Sequence, residues 1–133
     1  MKPFTPGPLS AGDIERGTIM QGNFVLYRLN PGVKAEERSE ALNEQLFADA
    51  TFYAASPYMF TACERSYIGF LCAEDRVHHQ AEMCGLRDVI AMATGRDYQD
   101  VQSSYEEAAL YIKHYQWSYE KAIRKARVVK EVV

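Results

Sequence analysis

The side chains with chemical capability crowd into one stretch of the chain. Cys72, Glu74, Asp75, His78, His79, Glu82 and Cys84 lie close together there, and two of the three histidines are among them. On a continuous helix, Glu74, His78 and Glu82 stand one turn apart on one side, and Asp75 and His79 make a second pair at the same spacing. A carboxylate and an imidazole so spaced can hold a divalent ion, as Glu-x-x-His pairs from facing helices do in carboxylate-bridged bundles. Glu74, His78 and Glu82 are therefore the candidate metal ligands. Against this, only Asp75 and His78 show the acid-x-x-His spacing, and Glu107 and His114 lie two turns apart. Ion pairing along a solvated helix face gives the same pattern, so no cofactor is implied. A cysteine nucleophile has less support, because a thiol inside a helix lacks the electropositive surroundings of a helix N-terminus.

Arg28, in the segment FVLYRLN, is the candidate ligand-binding residue. With the basic C-terminal segment it could meet a nucleotide or another small anion at a junction between subunits. Arg28, Ser56 in FYAASPY and Glu107 also resemble the Arg–Ser–Glu pattern of ADP-ribosyltransferases. That resemblance implies a catalytic triad on a sheet larger than this sequence supplies. The chain has no phosphate-binding glycine loop, nucleophile elbow or zinc-finger spacing.

The elements that must position these residues are mostly helical. Residues 1–17 carry Pro3, Pro6 and Pro8 and read as a flexible Pro/Gly-rich arm, followed by a single helical domain over 18–133. Thr18 to Leu29 is β-like, and Gln21-Gly22-Asn23 predicts a hairpin of 18–20 with 24–29. Asn30-Pro31-Gly32 predicts a turn. A first amphipathic helix is expected over 34–55. Ser56-Pro57 reads as the cap and first residue of a second helical stretch running to Gly95, either one helix or two (57–84 and 86–94) divided at Gly85, with residues 67–72 alternatively a short buried strand. Asp97 caps a last helix over 98–130, expected to be the longest unbroken element. The expected core is Leu42, Leu46, Phe60, Cys63, Tyr67, Phe70, Val77, Leu86, Ile90, Ile112 and Ile123. The fold class is mostly α with minor β: a bundle-like domain of three to four helices with a small N-terminal β hairpin.

Composition narrows the function. The chain has 133 residues, 47% hydrophobic and 25% charged, which suits one globular domain. A net charge of −3 argues against a dedicated nucleic-acid binder. No apolar run approaches the roughly 20 residues a membrane span needs. Three cysteines at unpatterned spacing read as reduced thiols, which places the protein in the cytoplasm. The last helix is apolar on several sides and rich in tyrosine, and the basic residues of the chain concentrate towards its end. Aromatic and arginine side chains dominate binding hot spots. Tyr111, Tyr115, Trp117, Tyr119, Arg124 and Arg127 are therefore the candidate partner-binding residues. The leading expectation is a small cytoplasmic, non-enzymatic interaction protein that binds another protein, host or self, and forms a homo-oligomer. An accessory, adaptor or inhibitor of the kind bacteria and their phages encode fits that description. The alternatives are a nucleotide or small-anion binding protein at an oligomer interface, and a metal-dependent enzyme using the Glu/His cluster.

Overall fold

The structure is a computed structural model, and it describes residues 8–13 and 15–128. It is mostly α with minor β. Three short strands, β1 (Ser10–Ala11), β2 (Thr18–Gln21) and β3 (Phe24–Arg28), precede four helices, α1 (Glu40–Cys72), α2 (Gln80–Thr94), α3 (Tyr98–Tyr115) and α4 (Tyr119–Ala126). The chain divides into two compact units, one ending at Met59 and the other containing everything from Phe60 on. Residues 1–7 of the expected arm, together with Val129 and Lys130, lie outside the described residues. No helix among the described residues is long and apolar enough to cross a membrane.

In the first unit the strands form an antiparallel sheet in the order β1-β2-β3. The expected hairpin is present, with Ile19 opposite Tyr27 and Gln21 opposite Phe24. Gly22 takes the left-handed φ of 60° that starts its two-residue turn. The third strand comes from within the stretch read as an arm: Ser10 pairs with Met20 and Ala11 with Ile19. Gly12 allows this close approach, since a Cβ there would meet the Thr18 hydroxyl oxygen at 1.9 Å. Ile19, Leu46, Ala50 and Ala54 are buried in this unit.

The helical register differs from the sequence reading in four places. The first helix starts at Glu40, because Ser39 Oγ accepts from the Leu42 amide at 3.1 Å and fixes the start there. It then runs straight through Ser56-Pro57 for 33 residues, which makes it the longest helix. Pro57 has no N–H to give the Tyr53 carbonyl, and the Ser56 hydroxyl donates to that carbonyl instead, at 2.7 Å. The stretch 57–94 is divided, not at Gly85 but at 73–79, where i→i+3 bonds such as His78 N to Asp75 O, 2.9 Å, replace the helical pattern. Gly85 lies inside α2. The expected 98–130 helix is divided between Tyr115 and Tyr119 into α3 and α4.

The core of the second unit is built from Phe60, Tyr67, Ile68 and Leu71 of α1, Met83 and Ile90 of α2, Val101, Tyr105, Ala108 and Ala109 of α3, and Ala122, Ile123 and Ala126 of α4. Cys63, Phe70, Leu86 and Ile112 pack at its margin. Val77, expected in the core, is exposed because it sits in the break. Asp97 caps α3 as anticipated, accepting from the Gln99 amide at 2.8 Å. Gly95 ends α2 at φ 68°.

Candidate functional site

The α3–α4 junction brings three rings together. Gln116 takes the left-handed conformation, φ 57° and ψ 36°, and stops α3. The amides of Gln116 and Trp117 donate to the carbonyls of Ile112 and Tyr111, at 3.1 and 3.4 Å. Ser118 Oγ then accepts from the Lys121 amide at 3.2 Å and starts α4. This reversal lays the Trp117 ring on Tyr111, with centroids 4.5 Å apart and planes 28° from parallel. Tyr115 stands against Tyr111 at 5.5 Å and is 70% exposed.

Cations from α4 cover these rings. Lys121 Nζ lies 4.0 Å from the Trp117 ring centroid, and Lys125 Nζ lies 5.0 Å from that of Tyr111. An ammonium over an aromatic face is attracted by the ring quadrupole. Lys125 also reaches Glu107 at 3.8 Å. Sequence reasoning missed Lys121 and Lys125 as members of this group. Their spacing of four on α4 was the available signal.

Two buried polar clusters hold α4 in place. Glu64 is fully buried on α1; it accepts from the Tyr105 hydroxyl at 2.5 Å and from Arg127 Nε at 2.9 Å, and Arg127 Nη2 binds its other oxygen. The Glu64 carboxylate raises the Arg127 guanidinium above its ordinary value. Arg96 is the second anchor, with its side chain 3% exposed. It donates to Asp100 Oδ2 at 2.7 Å, Ser104 Oγ at 2.9 Å and the Ala126 carbonyl at 2.8 Å. The last of these satisfies a carbonyl at the end of α4.

The expected partner-binding residues thus separate into groups. Tyr111, Tyr115 and Trp117 form one surface. Tyr119 instead packs at the margin of the core, its ring 5.7 Å from the Arg65 guanidinium. Arg127 is engaged by Glu64, whereas Arg124 is exposed. Arg28 lies on β3 and contacts Glu15 at 3.3 Å. Ser56 donates to Tyr53 within α1, and Glu107 faces Lys125. Glu74 falls in the turn after α1, His78 in a 3-10 turn and Glu82 in α2, so the continuous helix assumed for a metal site is absent. His79 contacts Asp75 at 3.2 Å. Among the described residues no three His, Cys, Asp or Glu side chains are grouped to hold a metal ion.

No protein-family model, curated protein or solved structure matches the chain.

Proposed function

We propose that this chain is a non-enzymatic interaction protein that docks on another protein through the α3–α4 junction. One observation carries the reading: the Tyr111–Trp117 stack with Tyr115 beside it, covered by Lys121 and Lys125. Rigid aromatic groups give large contact area at low entropic cost and dominate binding hot spots. Lys121 and Lys125 on these rings, with exposed Arg124 on the same short helix, would steer an acidic partner. The partner class is therefore a protein presenting an acidic segment with an apolar or aromatic residue in it. A second copy of the chain belongs to the same class, since residues 1–112 carry an excess of acids. The free thiols Cys63, Cys72 and Cys84 support a cytoplasmic setting for an accessory, adaptor or inhibitor.

The test is a pull-down with the full chain from a lysate of its own cells, then quantitative binding to the recovered protein and sedimentation for self-association. Tyr115→Ala with Trp117→Ala should weaken one of these at least a hundredfold, as loss of two hot-spot rings implies, with helical content unchanged. Partner binding and self-association both equal to wild type would show that the junction is not the interface.

A further inference from the structure

A second polar feature of the same unit lies away from the junction. A cleft of about 60 Å³ opens between the end of α1, the 3-10 turn with α2, and α3. Tyr67, Arg76, Gln80, Arg87, Gln102 and Glu106 supply its polar lining. Its cations are Arg76 and Arg87, and its one acid is Glu106. Asp88, which contacts Arg87 at 3.0 Å, is well exposed.

Tyr67 is the decisive residue. It is only 2% exposed, and its ring packs on Tyr105 at 5.5 Å. Its hydroxyl has no hydrogen-bond partner among the described residues, although a buried hydroxyl without one is costly. No fully sealed side-chain oxygen or nitrogen among the described residues lacks a partner. The Tyr67 hydroxyl is therefore reached from the cleft. The charges acting on it are Glu106, Arg87, Cys84 and Arg76, all of which line that cleft. Burial, reinforced by Glu106, pushes this hydroxyl up to about 12, so near neutral pH it keeps its proton and donates.

The arginines have donors to spare. A guanidinium has five N–H groups. Arg87 uses Nε and Nη2 on Asp88 and Nη1 on Gln102 Oε1 at 3.1 Å, leaving a donor on each terminal nitrogen. Arg76 makes one such contact among the described residues, Nη2 to Glu106 Oε1 at 3.2 Å. Glu106 also accepts from Gln102 Nε2 at 3.4 Å, which turns the Gln102 carbonyl oxygen towards Arg87. Leu71 and Met83 supply apolar wall.

We propose that this cleft is a binding site for a small oxyanion, a carboxylate or a phosphate, held by the Tyr67 hydroxyl and the Arg76 and Arg87 guanidiniums. The volume suits about four non-hydrogen atoms, at roughly 15 Å³ for each water-sized group. Planar arginine donors match the geometry of carboxylate and phosphate oxygens. Each guanidinium faces one acid, Arg76 on Glu106 and Arg87 on Asp88, and keeps N–H donors beyond that pairing for an anion's oxygens.

Acetate and phosphate, each titrated into the full chain at constant ionic strength with chloride as the control, are the probes, read by amide NMR shifts. Saturable shifts around positions 67, 76, 87 and 102 are expected with at least one of them; the responding probe distinguishes a carboxylate from a phosphate site. Tyr67→Phe should weaken that binding about tenfold, as loss of one hydrogen bond to a charged group implies. Its anion-free melting temperature should not fall, since the deleted hydroxyl has no partner among the described residues. Arg87→Gln should weaken binding at least as much. The proposal is overturned if neither probe saturates, or if saturation is unchanged in both variants.

Discussion

Arg127 reaches back 63 positions to grip Glu64, a carboxylate with no exposure to solvent. The two residues come from just past the end of α4 and from the C-terminal part of α1, and Tyr105 on α3 completes the contact from a third side. The pair joins three helices at the point where the core would otherwise contain an unmet charge.

Breaking this pair should be expensive, whereas replacing it should not be. Removing one partner of a buried ion pair costs about 3–5 kcal/mol, and Arg127 is still 37% exposed, which favours the low end. Glu64→Leu and Arg127→Met should each lose about 3 kcal/mol in urea denaturation, and the double variant should recover most of that loss and lie closer to wild type than either single one. Additive losses would mean that the two side chains act independently.

Alkaline pH should loosen the fold through Tyr67. Its hydroxyl rises from an ordinary value of 10.0 to about 12, burial being the main cause and Glu106 the second. The folded state therefore holds this proton more tightly than the unfolded chain. The stabilisation is complete below pH 10 and is lost as pH climbs towards 12. The interval corresponds to roughly 2–3 kcal/mol. Tyr105 moves in the same direction, through burial and then Glu64. The denaturation midpoint should fall over this range, and Tyr67→Phe should flatten the fall; an equal decline in that variant would assign it to other groups.

Gln116 carries a conformational cost that glycine would not. It is the one non-glycine residue at positive φ among the described residues, and glycine is favoured where a helix ends in the left-handed conformation. Gln116→Gly should stabilise the protein by about 0.5 kcal/mol, raising the melting temperature by about 2 °C. Gln116→Val should do the opposite, because a β-branched side chain fits that conformation poorly. Calorimetry on the two variants gives the sign directly.

Much of the fold was legible because local chemistry decided it. Gly22, Gly95 and Asp97 do what their residue types suggest, and the stripe through Val101, Tyr105 and Ala108 is buried as its spacing implies. The failures share a cause, which is that a side chain or backbone turn outside the local pattern changed the local preference. Ser56-Pro57 reads as a helix start, but the serine hydroxyl takes the carbonyl that proline leaves, and α1 continues. Gln116 carries no terminator signal, although Ser118 two residues later is a good cap for α4. Glu64 shows no local sign of burial, since glutamate is almost never fully buried unless paired, and its partners lie far away in sequence. In the candidate site, Tyr111, Tyr115 and Trp117 lie together as their shared segment suggests, whereas Tyr119, named with them, packs at the core margin. That Trp117 folds back onto Tyr111 was not legible, because the reversal between them depends on the Gln116 backbone.

The anchoring of α4 has a consequence for how the protein is made. A helix of eight residues cannot persist alone in water. Yet Arg96 needs the Ala126 carbonyl, and Glu64 needs Arg127. Chains emerge from the ribosome from the N-terminus onward at about 5–20 residues per second. Until residue 127 has left the exit tunnel, Arg96 lacks the Ala126 carbonyl and Glu64 lacks Arg127. The second unit therefore cannot close before residue 127 is clear of the tunnel, and a ribosome that stalls between residues 96 and 118 would leave an open core for chaperones to shield.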